Sequence, residues 1–269
     1  MRRLPDRKKF FDHTILLAET VDAFYVDSPY KNLIKFEIDI AEISDSVVLF
    51  SEGYGSLAEL GAFSQINTVA DRIIIVIQSY HYNSKSFIKD GPVLDLEQRN
   101  AETIQVYDWH EEDGYKNKGI SQPIFDGNFN DIKGSIESRL RNIPKSESFD
   151  KSNLAHKIIL VSVVVHFLGA ATHTDIGKAF QNMSVELTEQ ELRRAIFCSR
   201  AASWIRMEKR GNQKYYLPLF TEQPCDVAYK TAAKNKDTMR WKRDIRAFWK
   251  LKDERRFKLI TELMPGGAT

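Results

Sequence analysis

The residues whose types and spacing could do chemistry stand in one segment, residues 47–63, with the sequence VVLFSEGYGSLAELGAF. An apolar run is followed by a turn with two glycines, Gly53 and Gly55, and then by Glu59. Glycines in a turn after a buried strand let backbone N–H groups approach an anion or a sugar closely. A carboxylate early in the following helix is favoured as the ionised form by the helix dipole, and it could attack or stabilise an anomeric carbon. Glu52 is a second carboxylate in the same turn.

Ser56 and Glu59 also allow an interpretation that involves no chemistry. Ser-x-x-Glu is the pattern of a capping box, in which Ser56 would be the N-cap and Glu59 would accept a hydrogen bond from its backbone N–H. On the pattern alone, the capping interpretation is the commoner of the two. Both interpretations predict a helix from Ser56 to about Asn67.

The elements that must position this turn can also be read from the sequence. Continuous apolar runs at 47–50 and 73–77 predict two buried parallel strands, and the helix between them completes a βαβ unit. The pattern predicts a further helix over 33–43 and a short apolar strand at 15–18. Residues 79–130 are predicted to be rich in loops, because Gly and Pro recur there. In such a fold, ligands bind beyond the carboxyl ends of the strands, where the glycine turn lies.

The second half of the chain predicts a different architecture. The polar stretch 144–153 has no apolar period, and we place the domain boundary there. Helices are predicted over three segments, residues 154–168, 174–180 and 188–202. Thr172 or Thr174 would cap the second helix, and a capping box at Thr188 would start the third. Two alternating runs around a Gly-Asn turn at 209–213 predict a β-hairpin, so the order of elements is that of a winged helix.

Cations concentrate in this half of the chain. In a DNA-binding winged helix, the third helix enters a groove and the hairpin touches phosphates. We therefore predict a nucleic-acid-binding surface made of Arg193, Arg194, Arg200, Arg206, Lys209, Arg210 and Lys214. Residues 226–260 add 12 Lys and Arg against five acids. The aromatic residues among them, such as Trp241 and Trp249, suit either stacking on nucleic acid or packing on a partner.

Composition narrows the class of protein. The chain has 269 residues, a net charge of +2, 42% hydrophobic and 28% charged residues, which predicts one or two folded domains. Two cysteines exclude a disulfide scaffold, and the histidines show no ligand spacing, so no metal site is predicted. The most apolar stretch, residues 158–171, is too short to cross a membrane. With no signal peptide visible, a cytoplasmic protein without a membrane partner is expected.

Three features together resemble the deoxyribosyltransferase-like effectors encoded beside retron reverse transcriptases, within the nucleoside 2-deoxyribosyltransferase-like family. They are residues 44–64, with a Gly-Ser turn followed by Glu-Leu-Gly, residues 84–93 after the second strand, and the C-terminal winged helix. The resemblance implies an α/β, Rossmann-like (deoxyribosyltransferase-like) parallel-sheet domain over 1–145 and an α+β winged-helix domain over 151–220. A basic helical tail, 221–269, would follow.

The resemblance implies that Glu59 is the catalytic glutamate of an N-glycosidase, which attacks C1′ of the sugar. NAD would be the favoured substrate, cleaved to nicotinamide and ADP-ribose, and no cofactor would be needed. The implied substrate-binding residues are Glu19, Glu52, Gly53, Gly55, Ser56, Lys85 and Ser86. Glu19 would bind ribose hydroxyls, while Lys85 and Ser86 would contact the diphosphate. The residues leave both hydrolysis and glycosyl transfer open.

The resemblance also implies partners and a biological role. The chain would be a toxin of antiphage defence, held inactive by the retron reverse transcriptase and its msDNA, a branched RNA–DNA hybrid, and it would self-associate through the α/β domain. One alternative is a nucleoside or nucleotide glycosidase or deoxyribosyltransferase that uses the same Glu59. A second alternative is a non-enzymatic DNA-binding regulator with a degenerate α/β domain.

Overall fold

A computed structural model describes residues 15–17, 28–108, 122–142 (backbone only at 122–125), 147–219, 225 and 237–263. The chain divides into two compact units. The first unit is Asn32–Ser148, and the second combines Met1–Lys31 with Phe149–Thr269. The first unit is therefore an insertion between two segments of the second. The three-part division at residues 145 and 220 stays a prediction.

The first unit is built on a parallel sheet of three strands in the order β1 (Val47–Ser51), β2 (Ile73–Gln78) and β3 (Ile104–Tyr107). The central strand β2 is buried over residues 73–77, as its continuous apolar run requires. The two predicted strands at 47–50 and 73–77 are confirmed, and β3 is an addition. Ile15–Leu17 do not form a strand, so the prediction of a strand at 15–18 is wrong over its described residues.

Helices cover both faces of this sheet. They are α1 (Leu33–Glu42), α2 (Tyr54–Ser64), α3 (Asn67–Ala70), α4 (Ser79–Asn83), α5 (Leu94–Arg99) and α6 (Gln122–Arg141). On one face, Leu49 and Ile75 of the strands join Leu60 of α2 in one apolar cluster. On the other face, Val76 packs with Ile132 of α6. The arrangement is a three-layer α/β unit, and the predicted helix over 33–43 is confirmed as α1.

The prediction of a loop-rich region over 79–130 is wrong over its described residues. A π-helical turn, Lys89–Val93, leads into α5, and a short 3-10 turn, Ala101–Thr103, leads into β3. Helices of five or six residues are too short to show an apolar period, so they produce no sequence signal. The π-helical turn is kinked at Gly91, whose backbone dihedrals are not helical (φ −108°, ψ −105°), so Gly91 and Pro92 do interrupt the helix as their residue types suggest.

The second unit contains five described helices and one hairpin. They are α7 (Leu154–Leu168), α8 (His173–Asn182), α9 (Glu189–Ala201), β4 (Ile205–Arg210), β5 (Gln213–Pro218), α10 (Thr238–Lys252) and α11 (Glu254–Leu263). The three predicted helices and the hairpin are confirmed. Thr172 caps α8, and Thr188 and Glu191 form the capping box of α9. α7 packs against α9, α10 and β5, and no helix in the described part of the chain is long and apolar enough to cross a membrane.

Within residues 237–263, the described part of the basic tail, two helices fold onto this unit. The break falls at Asp253, whose side chain accepts a hydrogen bond from the Arg256 backbone N–H (3.0 Å). The Arg256 guanidinium is buried 3.9 Å from the ring centre of Trp249, and its nitrogens lie 2.9 Å from a carboxylate oxygen of Asp175 and 3.1 Å from one of Asp253. These are ion-pair distances, although the contacts lack hydrogen-bond angles. Trp249 in turn donates to the Leu168 carbonyl (2.9 Å).

Candidate functional site

Ser56 organises the turn between β1 and α2. The helix begins at Tyr54, with Gly53 as its N-cap. The Ser56 hydroxyl oxygen accepts hydrogen bonds from the backbone N–H groups of Glu52 (3.0 Å) and Gly53 (3.1 Å), and the hydroxyl donates to the Gly53 carbonyl (2.9 Å). Ser56 therefore lies inside the first turn of the helix, and the predicted helix over Ser56–Asn67 begins two residues too late and runs past the actual end at Ser64.

This helix start removes the capping interpretation of Glu59. A capping-box glutamate stands three residues after its N-cap. Glu59 instead stands in the second turn of α2, six residues after Gly53, and is half-buried. Because side chains on a helix lean toward its N-terminus, we expect the Glu59 carboxylate to face the turn that carries Gly55.

Space is open over the glycines of this turn. A Cβ on Gly53 or Gly55 would meet no heavy atom of the described chain within 4 Å, so packing does not require glycine at either position. Gly53 is an extended residue (φ −163°), a conformation open to any amino acid. Gly55 stands four residues before Glu59, on the same face of the helix. The bare backbone at Gly55 therefore leaves an approach to Glu59 from the N-terminal side.

The carboxyl ends of the strands bring further groups to the same edge of the sheet. Ser51 pairs with Ile77, and Gln78 pairs with Tyr107, so the three strands end close to one level. The Ser79 hydroxyl donates to Asp108 (3.1 Å) and links the ends of β2 and β3. The segments that follow β1 and β2 thus leave from the edge at which parallel sheets bind ligands.

An open depression follows β2. It has a volume of about 410 Å³ and is lined by Tyr82, Asn83, Ser84, Lys85, Lys89 and Asp90. Of the predicted diphosphate-binding residues, Lys85 is exposed in this lining. The Ser86 hydroxyl oxygen accepts a hydrogen bond from the Lys89 backbone N–H (3.3 Å), so this side chain also stabilises the start of the π-helical turn. Glu19 lies outside the described residues.

A polar network stiffens one wall of the depression and was not predicted from the sequence. Lys89 donates to Glu97 (3.1 Å), and its ammonium lies 3.5 Å from the ring centre of Tyr82, whose hydroxyl donates to the other carboxylate oxygen of Glu97. Hydrogen bonds from Tyr82 and Lys89 lower the pKa of Glu97. Although burial opposes it, hydrogen bonding with Tyr82 and Glu97 raises the pKa of Lys89. Both charged forms are therefore stabilised near neutral pH.

Several of the cations predicted to bind nucleic acid have partners within the second unit. Arg193 pairs with Glu189 (2.7 Å), Arg210 pairs with Glu262 (3.0 Å), and Arg206 donates to the Leu263 carbonyl (3.2 Å). No local pattern in the sequence signals the last two contacts, because each joins residues more than 50 positions apart. Arg206 in particular stabilises the end of α11.

The predicted third helix is partly covered by an N-terminal segment. Residues 195–199 of α9 are all buried. The Tyr30 hydroxyl lies 3.0 Å from the Cys198 sulfur, its ring packs edge-on against Phe197 (5.9 Å between centroids), and the Arg194 guanidinium lies 5.3 Å from the same ring. Arg200 is half-buried. Of the predicted cations on α9, Arg193 alone is exposed, whereas Lys209, Arg210 and Lys214 are exposed on the hairpin.

The tryptophans Trp241 and Trp249 of the tail pack within the unit, whereas Phe248 is exposed. Trp241 lies against Phe167 (5.9 Å between ring centres), and Trp249 lies against Arg256. The cations Arg240, Arg243 and Lys250 are exposed on α10. The tail therefore presents charge to solvent while its tryptophans contribute to packing.

Comparisons with known proteins identify the family of this chain. The family model described as STM3845 retron effector protein matches residues 1–207. An Escherichia coli protein named "Retron Ec73 putative ribosyltransferase/DNA-binding protein" is 28% identical over 126 residues, 45% of this chain and 40% of that protein. The corresponding "Retron Ec86 putative ribosyltransferase/DNA-binding protein" of Escherichia coli is 32% identical over 97 residues, 36% of this chain and 32% of that protein. The alignments thus span less than half the length of these two relatives. Because the family model covers most of the chain, this protein belongs to the STM3845 retron effector family.

Proposed function

We propose that this chain cleaves an N-glycosidic bond, with NAD as the favoured substrate and Glu59 as the catalytic carboxylate, in a deoxyribosyltransferase-like domain. The observation that carries this proposal is the start of α2 at Tyr54, which removes the capping role of Glu59 and leaves it beside an open glycine turn at the carboxyl edge of a parallel sheet. The names of the two relatives, which include ribosyltransferase, support the same class of chemistry.

The proposed reaction needs little beyond this carboxylate. Glu59 bonds to C1′ as the C1′–N bond breaks, and the electron pair goes to the nicotinamide nitrogen, so nicotinamide leaves as a neutral molecule without an added proton. In hydrolysis, a water oxygen then bonds to C1′, the ester to Glu59 breaks, and a proton passes to solvent. In transfer, the nitrogen of a second base attacks instead. Gly53, Gly55 and Ser56 would hold the sugar beside Glu59.

The test follows nicotinamide release from NAD by chromatography, with a panel of nucleosides assayed in parallel. We expect nicotinamide and ADP-ribose. Loss of nucleosides with NAD intact would instead support the nucleoside glycosidase or deoxyribosyltransferase alternative. No loss of any substrate, together with salt-dependent DNA binding, would support the non-enzymatic regulator.

We further propose that the retron reverse transcriptase and its msDNA restrain this activity. Membership of the retron effector family supports such a partner. Adding the purified reverse transcriptase–msDNA complex to the assay should suppress nicotinamide release, and the complex should co-elute with this chain in gel filtration. Unchanged release at saturating complex would contradict the proposed restraint.

Replacing Gly55 by alanine should separate stability from activity. The new methyl group fits the fold and should stabilise the helix by about 0.5–1 kcal/mol. It should also intrude on the approach to Glu59 and slow nicotinamide release. Gly61→Ala is the matched control, because it lies on the same helix about 200° around from Glu59 and has equal space. Thermal melting should show that both variants are stable, and the release assay should show that Gly55→Ala alone releases nicotinamide more slowly. Equal activity of the two variants would contradict the proposal that substrate reaches Glu59 past Gly55.

A second function, nucleic-acid binding by a winged helix in the second unit, is favoured by the hairpin. Lys209 and Lys214 stand directly opposite each other on β4 and β5, and both are exposed. Like charges in this position cost a sheet roughly 0.2–1 kcal/mol, a cost that a bound phosphate would offset. The exposed cations of α10 extend the basic surface, and because the tail tryptophans are packed internally, we expect contact with phosphates rather than stacking on bases.

Neutralising this lysine pair should weaken nucleic-acid binding and its salt dependence. On duplex DNA, log affinity falls with log salt, and each phosphate contact contributes about 0.9 to the steepness of that fall. The double variant Lys209→Gln/Lys214→Gln should therefore make the fall shallower by about two. Lys133→Gln/Lys151→Gln removes two lysine charges elsewhere and serves as the control. Fluorescence anisotropy across a salt series measures both slopes, and an equal change in the two double variants would contradict a hairpin contact.

A further inference from the structure

Phe87 is the most exposed large apolar side chain of the described residues. Its exposure is 85%, and along the chain it stands between Lys85 and Lys89, which both line the depression that follows β2. The far end of the ring rests on the π-helical turn, where a Cβ on Gly91 would come 3.8–3.9 Å from three ring atoms. The ring is therefore supported at one end while its faces remain open to solvent.

The residues that precede Phe87 along the chain differ from it in chemistry, and together they are complementary to the parts of a nucleotide. Lys85 is exposed two residues earlier and lines the depression, together with the polar side chains of Asn83 and Ser84. The charge of Lys89 is engaged by Glu97, so Lys85 is the cation available to a ligand. An open aromatic face stacks on a base, a lysine pairs with a phosphate, and amide or hydroxyl groups bond to ribose hydroxyls.

The position of this segment relates it to Glu59. The π-helical turn packs against α2, the helix that carries Glu59, and both follow strands that are neighbours in the sheet. The depression that this segment lines has a volume of about 410 Å³ and is open rather than enclosed. A dinucleotide that reacts at Glu59 could therefore place its other half in this depression.

We propose that Phe87 stacks on the base of the adenylate half of the substrate, with Lys85 at its phosphate. Phe87 is then a residue that determines specificity for a dinucleotide over a nucleoside. This inference rests on the proposed function for the reacting half of the substrate, but the binding of adenylate itself involves neither nicotinamide nor Glu59.

The test uses AMP, titrated calorimetrically into the full chain. Phe87→Leu should weaken AMP binding about tenfold, since it removes the ring on which the base stacks, whereas Phe87→Trp should preserve it. Phe149→Leu, a change at another exposed phenylalanine, should leave AMP binding unaltered. Lys85→Gln should reduce the preference for AMP over adenosine.

The outcomes separate this inference from the proposed reaction. Equal AMP affinity in the wild type, Phe87→Leu and Phe149→Leu would overturn it, as would an absence of AMP binding to the wild type. Nicotinamide release together with either result would retain the N-glycosidase and reject the stacking site. AMP binding that depends on Phe87, without release of nicotinamide, would retain the site and reject the reaction.

Discussion

Glu59→Gln should abolish nicotinamide release, by about 10³-fold or more, while the protein keeps its fold. An amide of the same size can neither bond to C1′ nor stabilise a positive charge on the sugar. Because Glu59 has no capping role at the start of α2, we expect the helix to form in the variant as well. Chromatography of NAD reactions measures the loss of activity, and thermal melting confirms the fold.

Glu52→Gln provides the matched control for this substitution. Glu52 is a half-buried carboxylate in the same turn, and its backbone N–H is already bonded to Ser56. We expect this variant to retain activity within about tenfold, as for a group that binds substrate without reacting. Loss of activity in Glu52→Gln with retention in Glu59→Gln would transfer the catalytic role to Glu52, and full activity in both variants would exclude either carboxylate as the nucleophile.

Arg256→Met should destabilise the second unit by about 2–4 kcal/mol. The methionine keeps part of the apolar contact with Trp249, but it leaves the carboxylates of Asp175 and Asp253 without their shared cation. Asp175 belongs to α8 and Trp249 to α10, so this one guanidinium joins the tail to the preceding helices. Urea unfolding of the full chain, followed by tryptophan fluorescence, measures the loss.

The neighbouring Arg255→Met is the control for this experiment. Arg255 lies on the same helix and carries the same charge, but it is exposed. We expect a change within about 0.5 kcal/mol, as for most surface substitutions. A similar loss of stability in both variants would show that the effect comes from net charge rather than from the buried contacts of Arg256.

The elements that the sequence predicts best are those whose boundaries have local chemical causes. The side chain of Asn153 caps α7, the Thr188–Glu191 box starts α9, and the turn between β4 and β5 contains Gly211, with a positive φ of 59°. Each signal lies within three or four residues of the boundary that it sets. α6 is the opposite case, because Gly127 and Gly134 suggest a loop while packing of its apolar side chains on the sheet sustains a helix.

The candidate site shows the same contrast. The sequence identifies Glu59 and the glycine turn, but it misplaces the helix start because Ser56 bonds backward to two N–H groups instead of acting as the N-cap. The network of Tyr82, Lys89 and Glu97 depends on a π-helical turn that brings together residues eight and 15 positions apart. No periodic pattern encodes such a contact, so only the folded structure shows it.

The inserted position of the first unit has a mechanical consequence. Both of its ends continue into the second unit. At the first junction, Tyr30 is anchored against α9, and α1 begins at Leu33, which leaves only Lys31 and Asn32 between the anchor and the helix. A single cut between Ser148 and Phe149 should therefore leave the two fragments associated, because Tyr30 packs on Phe197 and Cys198 within the second unit.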